Sequence, residues 1–314
     1  MADWQLKTPV AFVIFNRPHT TEKVFEAIRQ AKPPKLLVIA DGPREDKPGE
    51  AEKCAAARAI IEQVDWDCEV LKNYSDVNLG CGRRPSSGFD WVFDTVEEAI
   101  ILEDDCVPDP TFFRFCEDLL EYYRHDERIM SITGLNVQFG RKRTADSYYF
   151  SRYTNSWGWA SWRRAWKYFD YEMKLWPEIK QGNFLTDILG EPRAVKVWSH
   201  TFDFTVNGHD AWDFQWAFAC WLQRGLTIIP NENLISYIGY SLTDATHTKE
   251  ERSQYNNLKV EAMDFPLKHP KFVIRDRQAD NFTENTYYDY QPRLLKKVTR
   301  KLQKVLGMKY SQSW

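Results

Sequence analysis

Several function classes are excluded by what the chain does not contain. No Cys-x-x-Cys occurs, and the six cysteines (Cys54, Cys68, Cys81, Cys106, Cys116, Cys220) have no histidine at zinc-site spacing. A structural zinc site and a dithiol redox motif are therefore not expected. In 314 residues this scatter reads as reduced cytosolic thiols, not as a disulfide framework. There is no GxxxxGK[ST] segment, which argues against an ordinary P-loop, and the glycines of "NLGCGRRPSSG" do not form the dinucleotide fingerprint. Long apolar runs are missing too. The run from Val10 to Phe15 is too short to span a bilayer, and the first residues lack the basic and apolar regions of a signal peptide. The sequons at Asn73 and Asn281 would matter only in a secreted protein. Excess charge of one sign is also lacking. The net charge of -3 does not suit a nucleic-acid partner.

What remains is a composition with 43% hydrophobic and 28% charged residues, which belongs to a globular chain. Aromatics are abundant at 15%, with 13 tryptophans. Such flat surfaces suit sugar rings and also fill cores.

The first hundred residues alternate short apolar runs with helical periodicity. "VAFVIFN", "KLLVIADGP", "CEVLKNY" and "AIILEDD" read as strands, the first two and the last covered on both faces. Between them "TTEKVFEAIRQA", "EAEKCAAARAIIEQV" and "FDWVFDTVEE" read as helices. This order predicts an α/β fold with a mostly parallel sheet flanked by helices. Ligands of such sheets bind outside the carboxyl ends of the strands. Asn16-Arg17, Asp41 and Glu103-Asp104-Asp105 all fall at those ends. Further along, "PTFFRFCEDLLEYYRHD" and "WDFQWAFACWLQRG" predict helices, "RIMSITGLN" and "LTIIPNENLISYIG" predict strands, and "YTNSWGWASWRRAWKYFDY" predicts a Trp-rich loop entering a helix.

Three adjacent carboxylates at the mouth of a buried strand repel one another unless a cation is present. A hard divalent ion needs only one or two protein carboxylates when phosphate oxygens and water complete its shell. Glu103, Asp104 and Asp105 therefore suit a metal–diphosphate pair. The glycines of "NLGCGRRPSSG" would let backbone N–H groups approach a phosphate, with Arg83 and Arg84 to neutralise it.

The segment "ILEDDCVPDPTFFRFC" resembles the metal-binding DxD position of GT-A nucleotide-sugar glycosyltransferases, in the form found in N-acetylglucosaminyltransferase I. "NSWGWASWRRAW", "AWDFQW" and "DATHT" resemble that family's Gly-Trp, Trp-Asp and late-His segments, in the same order. The overall pattern also resembles bacterial family 2-like glycosyltransferases of the hemolytic-protein-homologue type. The resemblance covers roughly residues 8 to 250. It implies a GT-A domain over 1–264, with a nucleotide-binding half (1–105) and an acceptor-side half (106–264), followed by an extension over 265–314. It implies Mn²⁺ or Mg²⁺ on Asp105, with His247 near the metal or pyrophosphate. Glu103 and Asp104 would hold the ribose and donor sugar, and Asp41 the uracil edge. Asn16 and Arg17 would lie near the nucleotide, and Trp157, Gly158 and Trp159 near the sugar. Asp213 would be the general base, with Asp210 as its rival. The implied activity is inverting transfer of a hexosyl or N-acetylhexosaminyl group from a UDP-sugar to a glycan or lipid-linked glycan. A non-catalytic sugar binder on the same scaffold, or a nucleotidyltransferase, is the alternative.

Residues 293–309 stand apart. They carry seven basic side chains and no acid, and Leu294, Leu295, Val298, Leu302, Val305 and Leu306 share one helical face. This predicts a basic amphipathic helix. It would either lie on the anionic cytoplasmic face of a membrane or dock on the body of the protein.

Overall fold

The computed structural model describes residues 4–239, 255 and 258–288. The apolar runs form β1 (Val10–Ile14), β2 (Lys35–Ala40), β3 (Glu69–Tyr74) and β4 (Glu98–Glu103). They alternate with α1 (Pro18–Ala31), α2 (Glu50–Ile60, prolonged by a 3-10 turn) and α3 (Gly80–Thr95). A turn at Asp104-Asp105 leads into the short β5 (Cys106–Pro108) and then α4 (Pro110–Tyr122). Asp109 fixes the start of α4: its side chain accepts from the Thr111 N–H, and Pro110 occupies the first turn, where its missing N–H costs nothing. There follow β6 (Ile129–Thr133), β7 (Tyr148–Ser151), β8 (Trp159–Trp162) and α5 (Arg163–Trp166). A helical cluster comes next, α6 (Trp176–Gln181), α7 (Phe184–Leu189), α8 (Pro192–Val206) and α9 (Asp213–Leu222). Last come β9 (Leu226–Pro230), β10 (Ile235–Tyr237) and α10 (Arg277–Thr286).

Eight strands make one large, mostly parallel sheet in the order β3-β2-β1-β4-β8-β6-β9-β7. β1 lies parallel to both β2 and β4, and β2 to β3, as the alternating pattern predicts. β8 is antiparallel to β4 and β6 and sits in the middle of the sheet. This corrects the expectation of a loop running directly into a helix at "NSWGWASW". Val10, Phe12 and Ile14 of β1 face one core with α1 and α4, and Ala11 faces the other with α3 and α9. That two-sided burial is why β1, β2 and β4 are apolar throughout. A third core, built from Trp176, Trp198, Phe202 and Trp221, holds the helical cluster together.

The stretch beyond residue 264, expected as an extension, includes α10, which is pinned to the body. Asp280 accepts from the Ser151 hydroxyl (2.6 Å) and Arg275 (2.7 Å), and Glu284 from Arg152 (2.6 Å) and the Tyr153 hydroxyl (2.7 Å). Residues 293–309 and His247 lie outside the described residues. Among the described residues no helix is long and apolar enough to cross a membrane, and all six cysteines are unbridged.

Candidate active site

The carboxyl ends of β1, β2 and β4 open into a cavity of about 780 Å³, closed on its far side by α9, Trp157 and the end of α10. That volume falls within the range of small-molecule sites.

The acids form its floor. Arg17, in the turn after β1, donates from Nη1 to Asp105 (2.7 Å) and from Nη2 to Asp104. Burial alone would lower the Arg17 pKa, but Asp104 and Asp105 raise it well above the ordinary value. Asp104 is turned inward, 2% exposed, and its second oxygen accepts from the Phe15 N–H at 3.3 Å. Burial pushes its pKa up to about 6, with Arg17 opposing. Both its oxygens are engaged within the protein, so the expected role in holding the ribose or donor sugar is corrected to one of fixing Arg17. Asp105 keeps one oxygen clear of Arg17, and among the described residues that oxygen has a weak 3.6 Å contact from the Cys106 thiol. The Asp105 carbonyl accepts from Ile238 N–H at 2.9 Å, which locks the turn against β10 and brings Tyr237 alongside.

Glu103 is different. Among the described residues no hydrogen bond engages its carboxyl. Burial, then Asp105, Asp104 and more distantly Asp213, push its pKa up to about 8. Burial and the neighbouring acids disfavour the charged form of Glu103, and a bound cation would relieve that cost. Glu103 and Asp105 thus fit a divalent ion whose remaining ligands come from a diphosphate and water.

The opposite wall carries Asp213, the first residue of α9. An acid there is favoured by the helix dipole. Asp213 and Glu103 line the same cavity, and Asp213 raises the Glu103 pKa less than Asp105 and Asp104 do.

The other expected site residues have different duties. Asp41 lines the cavity, but its carboxylate already accepts from Gly42 N–H and Leu79 N–H (2.9 Å each), Gly80 N–H (3.1 Å) and Asn78 Nδ2 (3.0 Å). Four donors fill a carboxylate, so Asp41 joins β2 to α3 and is not left to read a base edge. Asp210 accepts from Cys81 N–H (2.9 Å) and Gly82 N–H (2.7 Å), the orphan donors at the start of α3. It acts as a remote cap, which corrects its standing as a rival base. The same bonds remove the expected phosphate loop: "GCGRRPSSG" is the first half of α3. Arg84 is buried and donates to the Ala40 carbonyl (3.1 Å) and to Asn73 (2.5 Å to the carbonyl, 2.8 Å to Oδ1), which ties the ends of β2 and β3 together. Arg83 is exposed, pairs with Glu172 (2.8 Å) and lies over Tyr171, and it is not among the residues lining the cavity. Asn16 donates to Glu50 (2.8 Å) and so anchors α2. Trp159 is core, packed edge-on to Phe89 and against Trp212 and Trp216. Gly158 has φ +61°, and a Cβ there would meet Ile235 Cδ1 at 2.3 Å, so the close approach that requires glycine is by a side chain and not by a ligand. Trp157 does reach the cavity, stacked on Tyr237 at 4.1 Å and 8°.

Sequence reasoning missed Arg44, Tyr237, Tyr255, Tyr287 and Tyr288 in the cavity wall. Arg44 lies six residues before Glu50, which it grips through Nη2 at 2.5 Å. The tyrosines come from segments with no motif, so no local signal marked them. The chain matches no known protein-family model, and a search of curated proteins returns no match.

Proposed function

We propose that this protein is a metal-dependent, inverting glycosyltransferase with a GT-A-type domain, moving a hexosyl or N-acetylhexosaminyl group from a UDP-sugar to a hydroxyl of a glycan or lipid-linked glycan. One observation carries the reading. Glu103 and Asp105 at the end of β4 line the same cavity as Asp213 at the start of α9, so in this reading a cation site and a base share one space with room for a substrate.

In this reading Glu103 and Asp105 hold the ion. When bound, it supplies positive charge to the leaving diphosphate. Arg17 adds fixed positive charge on the same side. Asp213 takes the proton from the acceptor hydroxyl as that oxygen attacks the anomeric carbon. The bond from that carbon to the diphosphate oxygen breaks as the new one forms. Asp210 is engaged in capping, and Asp213, at the start of α9, is the carboxylate this reading assigns as base in a single displacement with inversion. Trp212 and Trp216 beside it restrict water, which would compete with the acceptor.

The test is turnover with a panel of UDP-sugars, comparing wild type with Asp213→Asn. A transferase loses turnover in the variant and keeps nucleotide binding. A non-catalytic sugar binder shows no turnover in either form, and that result would overturn the proposal.

A further inference from the structure

We propose that the aromatic wall of the cavity is a subsite for a neutral sugar ring, seated against Tyr287 and Tyr288 and presenting a hydroxyl to Asp213. Naming that sugar the acceptor rests on the glycosyl-transfer reading; the subsite itself does not. The cavity is chemically divided. Among the described lining residues its cationic side chains are Arg17, Arg44 and Arg84, all on the strand-end side.

The other side is a continuous arc of rings. Tyr237 stacks on Trp157 at 4.1 Å, Trp157 meets Tyr287 at 6.4 Å, and Tyr287 meets Tyr288 at 5.1 Å. Tyr288 meets Trp198 at 5.0 Å, and Trp198 meets Phe214 at 6.1 Å. All six line the cavity. The arc begins beside the acids, since Tyr237 pairs with Cys106, and it ends next to the base, since Phe214 follows Asp213.

Rings of this kind accept the C–H face of a pyranose, while tyrosine hydroxyls serve its polar rim. Among its described residues this side carries no lysine or arginine, and its basic side chain is His209, 6.0 Å from Phe214; an uncharged saccharide is therefore the ligand proposed for it. The wall is also preorganised. Arg152–Glu284 and Ser151–Asp280 fasten α10, and the Tyr255 hydroxyl donates to the Thr286 carbonyl at 2.7 Å just before the two tyrosines. A fixed platform lowers the ordering cost of binding.

The experiment is saturation-transfer NMR and calorimetry on the full chain. The probes are the methyl glycosides of glucose, galactose, mannose and N-acetylglucosamine, with glycerol 3-phosphate as the charged control and UDP with Mn²⁺ titrated in parallel. At least one glycoside is expected to bind and the charged control not to. Tyr287→Ala and Tyr288→Ala are each expected to weaken that glycoside about tenfold, the scale of one aromatic contact, and to leave UDP binding unchanged. Tyr288→Leu, which keeps apolar volume, is expected to show the same loss and guards against a folding defect. The proposal is overturned if no glycoside binds, whether or not UDP does, if glycerol 3-phosphate binds as well as the glycosides, or if the tyrosine variants bind like wild type. If glycosides bind through these tyrosines and no nucleotide binds, the subsite stands and the transferase reading falls.

Discussion

Arg17→Ala is the perturbation whose size is best defined by the structure. The guanidinium is the cation that holds Asp104 and Asp105, whose side chains are 3% and 4% exposed. Truncation leaves two neighbouring buried carboxylates without a partner, a loss of about 3–5 kcal/mol for a broken buried pair. The variant can recover part of this by protonation. Asp104 titrates at about 6 even with Arg17 present, because burial outweighs the attraction. Without Arg17 its folded pKa rises further above the unfolded value of about 3.9. The folded state then binds more protons than the unfolded one, so stability falls as pH rises through this range and returns as pH falls. Urea unfolding followed by tryptophan fluorescence should show the full deficit above pH ~7 and a smaller one near pH ~5. Arg17→Lys should fall between, since it keeps charge and loses the two-pronged grip. A variant as stable as wild type at alkaline pH, or a deficit that grows on acidification, would refute the reasoning.

Four further outcomes follow. Asp213→Asn should lower turnover 10²–10⁴-fold, the usual contribution of a general base, with little change in melting temperature. Asp210→Ala should do the reverse and lose about 1–2 kcal/mol of stability, as for a lost helix cap; steady-state kinetics beside thermal melts separate the two. Because burial pushes Glu103 up to about 8, a cation must displace its proton. Divalent-ion affinity by calorimetry should therefore rise with pH and level off above about 8, and Glu103→Gln should flatten that slope. Gly158→Ala should cost about 1–3 kcal/mol from backbone strain, aggravated by the clash with Ile235; a urea midpoint equal to wild type would show that the backbone there adjusts freely.

The parallel half of the fold was legible because burial on both faces demands unbroken apolar strands, and β1, β2 and β4 display them. The acids at their ends were legible because strand order places such residues at one edge. What the sequence hid was long-range. The first half of α3 contains Gly80, Gly82, Pro85 and Gly88, all poor helix formers. It is helical because Asp41 takes the Gly80 N–H and Asp210, about 130 positions away, takes those of Cys81 and Gly82, and because Gly88 lets the helix close onto Ile39, where a Cβ would sit 2.6 Å away. β8 was hidden because its Trp-Ala-Ser-Trp runs without a break into the arginines of α5. Asp41 and Asp210 were visible as acids near the site, but their saturation by backbone donors depends on the closed fold. Tyr287 and Tyr288 follow α10, whose acids Asp280 and Glu284 look solvent-facing in sequence but bind Ser151 of β7 and Arg152 and Tyr153 just beyond it.

The most direct test of the central claim is calorimetric titration with UDP, GDP and CMP, each with and without Mn²⁺, on wild type and Asp105→Ala. The account predicts that UDP binds wild type only when the metal is present and that the variant loses this binding. If no nucleotide binds wild type under either condition, Glu103 and Asp105 do not form a metal–diphosphate site, and the glycosyltransferase reading is contradicted.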